Sequence, residues 1–440
     1  MEGKKDAPEG NEGKEVPVQP VDNSNEESGE EVEMVDIEDL EKLPELLKQL
    51  NLPPETKLSK QPQSDEEWES VDEEEEEENS HDTFESSARP AECPTLAGVF
   101  AGHAKGIVSL AVHPTKPNFF ATGSIDDSLG LWNVTEEGPI KKLEFGDTVS
   151  LVEFNHDGSL LNVATMENEV RILKICEEEG LAPLRTIKTF EGEVNSMRAH
   201  AKGNFVLIGT SEGELQLLNS ETGQAREFFG HSAGINQVEF TPDGKLVLSA
   251  SEDASIKYWQ VSTGNCLSTL SGRKFHQAAV LSFSCHANKP LVASGSADST
   301  WAISNFENGE TYFRSQELPD SETAICATCI ASPLEALTIG DLDGNLSMFD
   351  MTKQIKLAEF KAKKSIVNVK FWEKQKLFVT STASGEILLN GFGGRQAHVI
   401  NKISKKAIND FRIVGEHQVL AASEDAKIYL LDIRKLGASY

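Results

Sequence analysis

Histidines, cysteines and carboxylates are the side chains in this 440-residue chain with catalytic or metal-binding potential, and their spacing decides what they can do. The single Cys-x-x-Cys, Cys326 to Cys329, has no second pair and no nearby His, so the four soft ligands of a zinc site are not assembled. It falls in a β-prone run where Cys serves as a small core residue. The chain has no His-Glu-x-x-His, no Gly-x-Ser-x-Gly and no Gly-x-x-x-x-Gly-Lys-Ser/Thr. No catalytic residue, metal site or cofactor is therefore expected, and the chain does not read as an enzyme. The carboxylates instead recur at a fixed place in a repeat: Asp126, Glu167, Glu212, Asp253, Asp298, Asp343 and Asp425, with Ser384 in the one remaining slot. A carboxylate repeated in this way belongs to a scaffold, where it accepts backbone N–H bonds in a tight turn.

The elements that hold those turns are short strands. From residue 95 onward, β-prone runs alternate with turn signals every 8–12 residues, the pattern of an all-β protein. The clearest unit runs from Ile235 to Leu270. Strand Ile235–Phe240 leads through Thr-Pro-Asp-Gly to strand Leu246–Ser251. Glu252-Asp253 leads to strand Ser255–Val261, and Ser-Thr-Gly-Asn to strand Cys266–Leu270. Four antiparallel strands in about 40 residues make one propeller blade. An anchor on the third strand marks the copies at Trp132, Leu173, Leu218, Trp259, Ser304, Phe349, Asn390 and Leu431, and each turn position lies six residues before its anchor. The last unit lacks a fourth strand, and an unclaimed strand over 95–101 precedes the first. Pairing these two closes the ring and leaves no sheet edge open. The expected architecture is one eight-bladed propeller over 93–440. A ring of seven is the alternative if the unit at Ser304 or Asn390 is not a blade.

Residues 1–92 differ. They hold 31 acids against 8 bases, a net of −23 out of −31 for the whole chain, and few aromatics. Such a segment buries too little apolar surface to offset its ordering entropy and reads as a disordered acidic tail. Its run Asp72–Glu78 is either a solvating stretch or a lure for a basic partner. Leu40, Leu43, Leu46, Leu47 and Leu50 fall at helical spacing, with Pro44 placed to start a short helix or docking motif over Glu45–Leu50, near 40–50. Ser64 and Ser70 precede acids and are weak candidates for phosphorylation. Neither part of the chain has a basic surplus, so composition argues against direct nucleic-acid binding. No run is apolar enough to span a membrane and no secretory leader is seen. Six cysteines at irregular spacings fit a reduced compartment. The expectation is a soluble, monomeric cytoplasmic protein, with nuclear shuttling open.

The chain resembles the WD-repeat family. The matching pieces are Gly102-His103 with Leu131-Trp132, and Gly230-His231 with Tyr258-Trp259; the Trp-Asp ending survives as Phe349-Asp350 and Leu431-Asp432. The resemblance assigns His103, His231 and His276 to hydrogen bonds in blade turns, while the other histidines are expected to be scattered and exposed. Asp126, Asp298, Asp343 and Asp425 would hold turns, with Trp132 and Trp259 as repeat anchors. A long acidic N-terminus before a single propeller, together with Phe100–Val134 and Leu337–Asp350, is similar to the branch containing the angio-associated migratory cell protein and its fungal counterpart. That branch implies an acidic propeller face that captures the basic N-terminal segment of one large-subunit ribosomal protein, nascent or free, and escorts it to late pre-60S particles. The residues assigned to that face are Asp147, Glu191, Glu193, Glu212, Glu252 and Asp253, then Asp320 and Glu322. The loops at Arg273-Lys274, Lys361–Lys364 and Lys405-Lys406 are basic and break the uniformity of the face. The competing readings are a scaffold for signalling or cell migration, and an acidic chaperone for histones.

Overall fold

The structure, a computed structural model, describes residues 96–436 except 137, 177–179, 188–189, 316–322, 393–397 and 401. The acidic tail, the leucine motif near 40–50, Asp320 and Glu322 lie outside the described residues.

Eight four-stranded antiparallel sheets are present, so the units at Ser304 and Asn390 are both blades. Blade one runs inside to outside through Ile107–Val112, Phe119–Ser124, Ser128–Asn133 and Pro139–Glu144. Blades two to seven repeat that order. In blade eight the fourth strand comes from the other end of the chain. Leu96–Ala101 pairs antiparallel with Lys427–Asp432, joining Phe100 to Ile428 and Val99 to Tyr429. All eight anchors fall on third strands.

The core lies between blades. Each blade is apolar on both faces because both are covered, and its side chains interdigitate with those of its neighbours. At the seam, Phe100, Leu110, Phe120 and Trp132 pack with Val414, Leu420 and Leu430 from blade eight. Trp259 fills the corresponding layer between blades three and four, against Phe228, Val238 and Val247. Trp132 and Trp259 are among the largest fully buried side chains.

The turns between second and third strands share one backbone solution. The residue after the turn position has positive φ in all eight: Asp127, Asn168, Gly213, Ala254, Ser299, Gly344, Gly385 and Ala426. This left-handed residue turns the chain within three residues and places the turn side chain toward the loop arriving from the preceding blade.

Candidate functional site: the loop face

Loops that enter the inner strands meet the turns that carry the repeated acid, so both sets share one face. In blade one, Asp126 accepts from the Ala104 N–H at 2.7 Å, from His103 Nδ1 at 3.1 Å and from Lys142 at 3.1 Å, and its carboxylate also takes the Ser128 hydroxyl. The His103 Nε2 lies 2.8 Å from Thr122 Oγ1, which accepts from the Trp132 indole at 2.7 Å. Blade four repeats this through Asp253, His231, Ser249 and Trp259, with distances of 2.8, 2.7 and 2.8 Å along the chain of bonds. In blade five, His276 bonds Thr300 at 2.9 Å and Ser294 at 2.8 Å, and Asp298 accepts from the Gln277 and Thr300 N–H groups. One neutral tautomer satisfies the relays of blades one and four: the indole donates to the hydroxyl, the hydroxyl to Nε2, and Nδ1–H to the carboxylate.

Burial works against ionisation of these acids, but the donors around them outweigh it. Asp126, held by Ser128, Ala104 and Lys142, and Asp253, held by His231, Ser255 and Ser232, sit well below the usual carboxylate range. Asp298 is lowered likewise. Burial pushes the His103 imidazole down, against the pull of Asp126.

Asp126 and Asp298 each accept backbone N–H and hydroxyl groups around their turns. Asp425 holds its turn through Ser404, Tyr429 and the Lys427 N–H. Asp343 accepts from the Thr323 hydroxyl at 2.7 Å. Two residues grouped with the partner-facing acids are engaged internally. Asp253 is the blade-four member of the relay. Asp147 accepts the Glu167 N–H at 2.7 Å, so in blade two the bridging acid sits on the loop and the turn supplies the donor. The other four stand apart. Glu191, Glu193, Glu212 and Glu252 are exposed, and among the described residues no hydrogen bond or ion pair holds their carboxylates. They lie on consecutive loops and turns of blades three and four. Beside them a cavity of about 190 Å³ is lined by Glu212, Glu214, Glu227 and Phe229, and Phe229 is 80% exposed.

Sequence reasoning missed three features. The first is the hydroxyl of the relay, although Thr122, Ser249 and Ser294 each lie four residues before their acid, in the three His-bearing blades. The second is Phe229 with Glu227, signalled only by an aromatic doublet ahead of Gly230-His231. The third is a set of histidines on the opposite face, which corrects the expectation of scattered exposure. His113 (6% exposed) packs over Gly158, His200 Nε2 meets the Gly244 carbonyl at 3.1 Å, and His286 (3% exposed) meets Glu335 at 3.3 Å. Each joins one blade to the next.

The central channel encloses about 910 Å³ and carries charge near one end. Asp410 takes Lys370 and Arg412, both at 3.3 Å, and Arg412 reaches Glu153 at 3.8 Å. Burial, with the Arg412 cation, lowers Lys370 to about 8. These charges are paired with one another. Among the described residues no group of three or more His, Cys, Asp or Glu could hold a metal ion, and no helix is long and apolar enough to cross a membrane.

Eight closed four-stranded blades define a β-propeller, and two of them combine a buried His–Asp relay with a tryptophan anchor. Three stretches, 94–133, 223–260 and 264–303, match the model of the WD domain, G-beta repeat. The chain is similar to the human angio-associated migratory cell protein, 23% identical over 346 residues that cover 72% of this chain and 78% of that protein. Its fold matches Saccharomyces cerevisiae Sqt1 with a TM-score of 0.69 at 19% identity, covering 77% of this chain and 98% of that one. It also matches Chaetomium thermophilum Sqt1 bound to the N-terminus of the ribosomal protein L10, with a TM-score of 0.68 at 18% identity, covering 77% and 99%.

Proposed function

We propose that this propeller is a non-enzymatic chaperone that binds the basic N-terminal segment of a large-subunit ribosomal protein on its acidic sector and escorts it, as a cytoplasmic monomer, to late pre-60S particles. The observation that carries the reading is the set of four unengaged carboxylates at Glu191, Glu193, Glu212 and Glu252. The turn acids Asp126, Asp253, Asp298, Asp343 and Asp425 are by contrast engaged inside the fold. A compact patch of unpaired carboxylates attracts a Lys/Arg-rich segment over distance and holds it in salt-sensitive contact. Phe229 beside Glu212, Glu214 and Glu227 offers an aromatic face on which a guanidinium can lie while carboxylates take its N–H groups. The resemblance to Sqt1, solved with an L10 N-terminus, supports the choice of client.

The test is calorimetric titration of the full chain with a synthetic N-terminal segment of the large-subunit protein L10, at low and high salt. Binding that weakens steeply with salt, and at least tenfold in a Glu191→Lys, Glu193→Lys variant, is expected. No binding, or binding indifferent to the charge reversal, sinks the proposal. Salt-tolerant binding to other proteins through the leucine motif would then favour the scaffold reading.

A further inference from the structure

The same face has a second sector of opposite sign. Lys363 and Lys364 enter blade seven, Lys402, Lys405 and Lys406 enter blade eight, and Lys105 enters blade one, and all six are exposed. Three nearby acids, Glu386, Glu424 and Asp425, offset about half of this charge and leave the stretch positive. Glu386 is buried under Lys363, with the ammonium 3.1 Å away and still 77% exposed, and Asp425 is bonded to Ser404 and Tyr429. Glu424 is the exposed acid in this stretch, 3.9 Å from Lys406. Three adjacent loops thus carry a lysine arc, while the carboxylate patch lies over blades three and four. The whole-chain charge of −31 hides this arrangement. At physiological ionic strength charges more than about 8 Å away are largely screened, so an approaching polyanion responds to the local arc.

We propose that the lysine arc of blades seven, eight and one binds the phosphate backbone of helical RNA, and that this contact promotes release of the basic client from the neighbouring acidic sector. The first half stands on the arc alone; the second rests on the chaperone reading above. Lysines without interleaved exposed aromatics suit phosphates rather than stacked bases, so the contact is sequence-independent. Phosphates brought to the same face compete with Glu191 and Glu193 for the cations of the client, so delivery and release occur in one encounter.

The test uses the full chain and a base-paired RNA hairpin labelled for fluorescence anisotropy. Binding is expected to fall linearly in log Kd against log salt. A Lys364→Glu, Lys405→Glu, Lys406→Glu variant should bind at least tenfold more weakly, with the slope reduced by about 2 to 3, near 0.9 per lost phosphate contact. Glu191→Gln, Glu193→Gln should leave RNA binding intact or strengthen it. A thermal unfolding midpoint matching the parent shows that the lysine variant is folded, and the milder Lys→Gln triple, with a smaller loss in the same direction, serves if it is not. No hairpin binding at low salt, equal binding by the variant, or preference for a polyglutamate peptide over the hairpin overturns the RNA assignment. In a second arm the L10 segment is bound first. The hairpin should release it from the parent but not from the lysine variant, whose own affinity for the segment is unchanged or higher. Hairpin binding without release overturns the coupling alone, and failure of the segment to bind marks failure of the chaperone reading.

Discussion

At the scale of single residues, the chemistry of this propeller is the management of buried acids. Asp126, Asp253 and Asp298 stay ionised in enclosed sites because backbone N–H groups, hydroxyls and an imidazole point at them, as an anion out of bulk water requires. Each relay has a pH signature. The folded-state pKa values of the three acids are lowered from 3.8, so the unfolded chain takes up protons first as the pH falls below that value, and stability drops with it. His103 and His113 are lowered from 6.5, mainly by burial, so their contribution is complete above that pH and declines as the pH falls through it. The thermal midpoint should therefore be level between pH 7 and 8, decline below about 6.5, and fall again below about 4; a midpoint level down to pH 5 would contradict this. His231→Ala should cost about 2 kcal/mol in chemical denaturation, because it leaves Asp253 and Ser249 each short of a partner. The acid and histidine of each relay were legible as a spacing of 22 or 23 residues. The hydroxyl was not, because Ser and Thr are too common in strands to mark themselves. The bond made by Asp147 was hidden for a related reason: spacing tells which loop holds an acid, not whether a neighbouring N–H lies within 3 Å of it.

At the scale of elements, the strands and turns could be read from the sequence because they depend on local rules. Strands Ile235–Phe240, Leu246–Ser251 and Cys266–Leu270 of blade four have the boundaries expected of them. Contacts between blades could not be read. His113 and Gly158 are 45 residues apart, and their meeting depends on the rotation from one blade to the next. A Cβ on Gly158 would lie 2.1 Å from the His113 ring, and its φ is +77°. Gly158→Ala should therefore cost about 2 kcal/mol or more, from left-handed strain plus displacement of the imidazole. Gly138→Ala, in open space, is the control and should change stability little. Equal denaturation midpoints for the two would remove the seam from the account of stability.

At the scale of the whole molecule, the ring is held by core layers between blades and by a clasp across the channel. Asp410 of blade eight accepts from the Leu110 N–H of blade one at 3.2 Å and neutralises Lys370 and Arg412. Arg412 extends past blade one, where Ala111 leaves room, to Glu153 of blade two. Asp410→Ala would leave two cations facing each other and one N–H unpaired. It should cost about 2 kcal/mol, less than a fully dry pair because the channel is open to water, and the loss should shrink with added salt. The clasp was invisible in sequence, since its members lie on four inner strands. The closing strand was legible, because one unpaired strand at the start and one missing at the end can only be joined to each other. That closure has a temporal consequence. Leu96–Ala101 is made early, yet its partner Lys427–Asp432 emerges more than three hundred residues later. At about 5–20 residues per second the early strand waits roughly 15 to 65 s, with Phe100 uncovered, until its partner is synthesised. A product truncated by a premature stop codon before Lys427 can never seal, so the unburied first strand marks such a copy as unfinished.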